Sequence, residues 1–520
     1  MLKEKMIVKR TIALLLLLAM LVVPLTACQT KNSPSDTPAS TPSAAETPAE
    51  GSEGTEPEEI VHLKMAVPFF GTSAPADAAL ISEKISEISR KEIGVEVELA
   101  FYSISDYYTQ IPLILSGDEQ LDCLASFGDT TDSWIRKGYL QPITAQVEQY
   151  GSGIKEVLGD WLNAGQYYGD QYVLGVRTDL VEAICFCMRK DIVDKYGIDL
   201  SQVKQLSDLA DVFAVVKENE PDLIPMVASD AQSFGSYQFS IDSLFDNLGV
   251  LMPVDEPGST EIKNFFATEK YKNYCEMLHD WYQKGYVEQD ILTETENGSV
   301  LVKNGKAFGF LYPYKPYVET QESLVCGYEM AAVELTPPIV STTTLVANAW
   351  AVGRNCVNVD KAVQFYNLCY TNKDILNLLA WGVEGRHYVL DENGQAALPE
   401  GMDADSSGYN IGMGWFFFDN FGQYVAAGNP VDLNDAINEF NNTATSSTAM
   451  GFHWDSEEVK TEVAACTAIM QQYRMALEYG VVDPDTVLPE FLSALEQAGI
   501  NDVVAAKQAQ FDAWRAEQSK

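Results

Sequence analysis

The side chains that could make or break bonds are present in this chain but are not assembled into a recognisable catalytic pattern. With 75 Asp and Glu in 520 residues, carboxylate pairs at the ~5–9 Å that glycosidic cleavage requires are expected by number alone, so no pair singles itself out. The chain has no Gly-x-Ser-x-Gly elbow and no His-Glu-x-x-His, patterns that present a nucleophile or a zinc-bound water. The four histidines, His62, His279, His387 and His453, share no spacing, and each reads as structural. Asp403, Asp405, Ser407 and Gly408 open like an EF-hand loop, but Gly414 stands where the last position needs a bidentate Glu. A polar surface turn fits better, and no metal or other cofactor is expected. Cys185 and Cys187 share one face of a strand, a poor placement for a bridge between them. The scatter of the other cysteines reads as small buried apolar residues, with a single bridge left open.

What remains is material for non-covalent recognition. In Gly382-Val383-Glu384-Gly385-Arg386 two glycines bracket an acid, so a tight backbone could aim Glu384 and Arg386 at one point. The alternative is a capped helix end with a surface salt bridge. Trp415, in the aromatic run from Gly412 to Phe418, is either a stacking face or part of a core.

The elements that must position these groups are legible from charge and periodicity. Lys and Arg number 34 against the 75 acids, a formal charge of −41. Such a field repels nucleic acid and polyanions and says little about a neutral partner. Hydrophobic residues at 46% suffice for a large core. Length against a typical ~150-residue domain suggests three units, and two large lobes fit equally well.

Lys3, Lys5, Lys9 and Arg10 precede the apolar run Ile12 to Val23. That run is shorter than the ~20 residues needed to span a bilayer and reads as a secretory signal. It ends Leu25-Thr26-Ala27-Cys28, which resembles the lipobox of bacterial lipoproteins and implies cleavage before Cys28 and lipidation of that residue. From Lys31 to Glu59 there is no aromatic residue and no aliphatic side chain larger than Ala; this is the composition of a solvated linker.

Beyond it, Val61, Leu63, Met65 and Val67 alternate as a strand. A helix follows with Ile81, Ile85 and Ile88 on one face and Gly94 at its end. Val95 to Phe101 gives a second strand, Ile104 to Leu115 a helix, and Leu121 to Phe127 a third strand. This alternation predicts parallel βαβ units. Further strands are predicted at Ile184–Met188, Phe308–Leu311 and Leu345–Val352, and helices at 360–370 and 374–381. The predicted C-terminus is all helical, with Val459, Val463, Cys466, Met470, Tyr473 and Leu477 on one face.

The order of segments then becomes specific. After the lipobox and linker come the crossover Tyr172 to Val176, then Met188 to Asp191, Lys195 to Asp199, Trp381 to Tyr388, Gly451-Phe452-His453-Trp454-Asp455 and Leu488 to Gly499. This order resembles the extracellular solute-binding proteins of ABC transporters, family 1 (sugar-type), and in particular LipO-type lipoproteins with their own C-terminal domain. The resemblance implies an α/β, type II periplasmic-binding-protein-like fold: two hinged lobes with parallel-rich sheets flanked by helices, and a helical C-terminus. It implies a signal peptide at 1–27, a lipidated Cys28 with linker to 59, lobe 1 at 59–182 plus 312–358, and lobe 2 at 183–311 plus 359–520. The function implied is capture of a carbohydrate, expected to be an oligosaccharide, by a lipid-anchored monomer at the outer face of the membrane, for an ABC permease. Peptides and other solutes stay open, as does signalling in place of import. A glycan-active enzyme and a scaffold or sensor lipoprotein are the rival readings.

In open parallel sheets ligands sit beyond the carboxyl ends of strands, which places 69–72, 128–132 and the crossovers on the cleft. A sugar offers apolar C–H faces and rings of hydroxyls, so it calls for aromatic platforms and planar polar groups. Phe69, Phe70, Asp129, Tyr237, Tyr312 and Trp350 are the candidates on those elements, with Glu384, Arg386 and Trp415 added from the glycine-rich segments.

Overall fold

The computed structural model describes residues 60–229, 239–404 and 406–518, with Asp129 described by its backbone only. The signal segment, Cys28, the linker and Tyr237 lie outside the described residues.

The two larger sheets use, in chain order, β1 (Val61–Phe69), β2 (Val95–Ser103), β3 (Cys123–Phe127), β4 (Val173–Gly175), β5 (Ile184–Arg189), β6 (Ile224–Val227), β7 (Ala307–Pro313), β8 (Met330–Glu334) and β9 (Asn348–Val352). The first sheet runs β2-β1-β3-β9-β4, with β1 parallel to β2 and β3, and β9 antiparallel to β3 and β4. The second runs β8-β5-β7-β6. In it β5 is antiparallel to both neighbours and only β6 and β7 run parallel. Parallel pairing thus makes up two of the four strand pairings in the first sheet and one of the three in the second.

The local chemistry explains the elements around the first sheet. In β2, Val95, Val97 and Leu99 are buried while Glu98 is exposed, as alternation requires. Helix α1 (Ala78–Ile93) buries Ile81 and Ile85 and stops at Gly94, whose φ of 66° closes the end in the left-handed region. Helix α2 (Ile104–Ser116) starts where Ser103 accepts the Asp106 N–H at 3.2 Å. Helix α3 (Gly128–Arg136) leaves the carboxyl end of β3 directly.

The expected strand at Leu345–Val352 begins only at Asn348. The residues before it form the short helix α4 (Thr342–Val346), because Ser341 and Thr344 cap one another reciprocally. After β9 come α5 (Val359–Thr371) and α6 (Lys373–Ala380). Both pack in the first core, together with 409–418. Tyr366 donates to the Ala351 carbonyl at 2.5 Å and Tyr370 to that of Gly175 at 2.6 Å.

The placement of 359–418 in the second lobe is therefore corrected. So is the placement of 312–334 in the first, since those residues finish β7 and supply β8. Periodicity shows that a helix face such as Val363, Tyr366 and Tyr370 is buried; it does not show which sheet buries it. The second core does take α7 (Lys460–Glu478), α8 (Pro484–Ala498) and α9 (Ile500–Gln518), through Cys466, Leu477, Phe491, Leu495, Val503 and Phe511. Among the described residues no helix is long and apolar enough to cross a membrane.

Candidate functional site

One cavity lies where the first and second cores meet, and another lies between the first core and the residues packed on the other face of the second sheet, Tyr312 and Tyr314 among them; both are bordered by Ala347. The larger, about 570 Å³, is walled by Tyr108, Phe127, Gly128, Asp132, Tyr167, Phe245, Asp246, Thr343, His453 and Trp454, of which Phe127, Tyr167 and Phe245 pack in or on the first core and Trp454 in the second. The smaller, about 320 Å³, is walled by Asp179, Glu182, Tyr312, Tyr314, Lys315, Thr344, Asn348 and Trp415. Both fall in the size range of small-molecule sites.

The larger cavity is held by polar groups that leave specific atoms free. His453 Nε2 lies 2.7 Å from the Ala164 carbonyl, so that nitrogen must carry the proton and donate. Nδ1 is then an acceptor, and it has no partner; nor does the Thr343 hydroxyl. The imidazole lies against Tyr167, ring centroids 3.6 Å apart, with Phe245 at 5.3 Å. Burial pushes its pKa down to about 4, which keeps the ring neutral. Beside it Trp454 donates to Asp246 at 2.9 Å, and the fully buried Lys507 donates to the same carboxylate at 2.5 Å. Burial lowers the Lys507 pKa while the Asp246 charge opposes that shift. At the rim, Arg136 joins Asp132 and Asp455, each at 2.7 Å, and Tyr168 donates to Asp132 at 2.5 Å.

In the smaller cavity Lys315 is paired with Asp179 at 2.9 Å. Burial and the neighbouring Asp242 charge push the Glu182 carboxyl up to about 7, so near neutral pH it can donate as well as accept. Trp415 is 43% exposed and presents a face to this space. The walls offer rings and paired polar groups, the Thr178 hydroxyl donating to Asp179 at 2.8 Å among them.

Residues 72–376, more than half of the chain, match the family model described as bacterial extracellular solute-binding protein. The chain belongs to that family. Residues 448–516, which include the His453–Asp455 wall, match a domain of unknown function, DUF3502. A carbohydrate ABC transporter substrate-binding protein of Streptococcus pneumoniae serotype 4 (strain ATCC BAA-334 / TIGR4) is 24% identical over 444 residues, 82% of this chain and 86% of that protein. The structure of an N-glycan transport solute-binding protein (NgtS) from S. pneumoniae superposes with a TM-score of 0.76 at 22% identity, covering 87% of this chain and 98% of that one. The same protein in complex with Man5GlcNAc gives 0.65 at 23% identity, with the same coverage. These relatives are binding proteins, not enzymes.

Within this solute-binding protein, the sequence candidates separate. Tyr312 and Trp415 come together on the smaller cavity, and the predicted loop 128–132 reaches the larger one through Gly128 and Asp132. The Asp129 backbone lies in α3 between those two. Trp350 is wholly enclosed: its indole N–H donates to the Phe416 carbonyl at 3.2 Å, and its ring stacks on Phe417 and Phe418. Its strand β9 is central, covered on both faces, so this candidate is corrected to a core residue. Phe69 is likewise buried, edge-on to Phe101. Phe70 is exposed, and its N–H donates to the Ile411 carbonyl at 3.0 Å; neither phenylalanine lines either of these two cavities.

Arg386 grips Asp77 through two bonds of 2.8 and 2.9 Å, and His387 adds a third at 3.0 Å. Glu384 sits exposed on the turn. The salt-bridge alternative therefore describes this segment, with Asp77 at the start of α1 as the partner. Asp403 accepts the Ser406 N–H at 2.8 Å within its own turn. Cys185 and Cys187 hold their sulfurs 3.6 Å apart as free thiols.

Sequence reasoning missed Tyr108, Tyr167, Phe245, Thr343, Ala347, His453 and Trp454 as wall residues. The available signal was the dense run Gly451 to Asp455, in which an imidazole, an indole and a carboxylate follow in succession.

Proposed function

We propose that this protein captures an oligosaccharide between its two cores, leaves it chemically unaltered and presents it to the permease of an ABC importer. The observation that carries this reading is the larger cavity. Aromatic walls from both cores face each other there, and the Thr343 hydroxyl and His453 Nδ1 lack partners. Rings stack on the C–H faces of a sugar, and buried groups without partners are satisfied by its hydroxyls. The similarity to a carbohydrate ABC transporter substrate-binding protein and to an N-glycan transport protein solved with a bound glycan supports the ligand class. A ligand that touches both walls stabilises the arrangement in which they are close, which is the basis of a hinged clamp.

In this reading the protein is a monomer held at the outer membrane face by lipid on Cys28, as the Leu25–Cys28 segment suggests. Titration calorimetry and thermal unfolding over an oligosaccharide library test the capture step. A true ligand at a hundredfold excess over Kd adds about 2.7 kcal/mol to stability, and mass spectrometry should recover it intact. Release of a cleaved product would overturn the reading. For the anchor, Cys28→Ser should move the protein from the membrane fraction to the medium.

A further inference from the structure

The two cavities are separated by a structure too specific to be a seam. Helix α4 stands between them and sends successive threonines to different places. Thr342 is an anchor: its hydroxyl donates to the Ala449 carbonyl at 2.9 Å and accepts the Gly451 N–H at 2.7 Å. Thr343 lines the larger cavity, and its hydroxyl is buried without a partner. Thr344 faces the smaller cavity, with its hydroxyl held in the cap with Ser341. The next exposed residue is Ala347, which borders both spaces. Its carbonyl accepts the Gly128 N–H at 3.1 Å, and a Cβ on Gly128 would meet the Ala347 Cα at 3.4 Å. The backbone is thus fixed at the one small side chain that borders both spaces.

The walls also select by charge. Asp132, Asp246, Asp179 and Glu182 line the two spaces, while Lys315 is the cation among their described lining residues and Asp179 already holds it. Asp132 and Asp246 are likewise held, by Arg136 and Lys507, so a carboxylate on a sugar would find no free cation among the described lining residues, a desolvation left without an offsetting charge.

We infer that the two cavities are subsites for one uncharged oligosaccharide whose chain crosses Ala347, and that the small side chain at this position sets the length the site accepts. This rests on the proposed carbohydrate reading and goes beyond it by naming the charge class and the residue that gauges length. Two compartments joined over one alanine reward a chain that fills both, because the second contact is made without a second loss of translational freedom.

The test is titration calorimetry of the intact protein with uncharged oligosaccharides, from disaccharides to longer chains, alongside a matching hexuronic acid series. Wild type should gain at least about tenfold in affinity, roughly 1.4 kcal/mol, once the chain is long enough to cross. Ala347→Phe should collapse the ratio between long and short ligands toward one, and Ala347→Ser should preserve it. Because Ala347 is exposed, the bulky variant should fold, and an unshifted Tm checks that it does. Should Ala347→Phe fail to fold, Ala347→Leu carries the same comparison. A length dependence that survives the bulky side chain, or uronic acid ligands bound as tightly as uncharged ones, would overturn the inference while leaving carbohydrate capture standing. Wild type that binds no glycan of any length would remove the underlying reading as well.

Discussion

Arg136 and Asp455 meet at 2.7 Å where the first core touches the second. Arg136 ends α3, the helix that leaves β3 at the cavity rim, and Asp455 closes the segment whose His453 and Trp454 form the opposite wall. The same guanidinium holds Asp132 at 2.7 Å, so one cation ties a wall residue of the first core to the second. Both partners are partly exposed, at 30% and 39%, and water screens them. A double-mutant cycle with Arg136→Met and Asp455→Asn, read by urea unfolding, should give a coupling of about 0.2–1 kcal/mol. A coupling of zero would mean that the pair does not tie the cores in solution.

The two tryptophans invite opposite expectations. Trp350→Ala removes a fully enclosed indole and should cost roughly 3–5 kcal/mol of stability. Trp415→Ala removes a half-exposed ring from a cavity wall. It should change stability by less than about 1 kcal/mol yet weaken ligand binding at least about tenfold, roughly 1.4 kcal/mol. Calorimetry and denaturant unfolding on both variants separate the roles. Equal effects from the two substitutions would contradict the placement of Trp350 in the core.

His453 gives a pH signature. In the unfolded chain a histidine takes its proton near 6.5, whereas burial holds this one down to about 4. Between those values the unfolded state binds more protons, so the stability that His453 contributes is present above pH 6.5 and lost as pH falls through 4. The total is about 3 kcal/mol. Glu182, Glu288 and Glu478, each pushed up to about 7 chiefly by burial, act oppositely and favour the fold as pH falls from 7 toward 4.5. The clean readout is therefore the difference between wild type and His453→Gln across that range. It should change by about 3 kcal/mol in favour of the variant toward acid; a difference that stays flat would show that the ring is solvated.

How much of this was legible in the sequence depended on whether local chemistry decided the outcome. The strands from Val61, Val95 and Cys123 follow from alternation, and Gly94 marks the end of α1 because only a left-handed residue can terminate it there. Helix α4 was not legible because its cap depends on Ser341 and Thr344 exchanging bonds within a run that otherwise reads as strand. Trp350 was misplaced because an indole in a central strand and one at a cleft have the same local pattern; the difference lies in β4 and the aromatic run at Phe416–Phe418, which cover it. Arg386 found Asp77, some three hundred residues earlier, a pairing that no local spacing announces. His453 was treated as structural, and its bond to Ala164 is structural; its other nitrogen, which faces no partner, became visible only with the fold.

The central claim is that two cores close around an uncharged glycan, and X-ray scattering with and without a saturating oligosaccharide tests it most directly. Closure gives a smaller radius of gyration in the bound state. Unchanged dimensions at full saturation would contradict it.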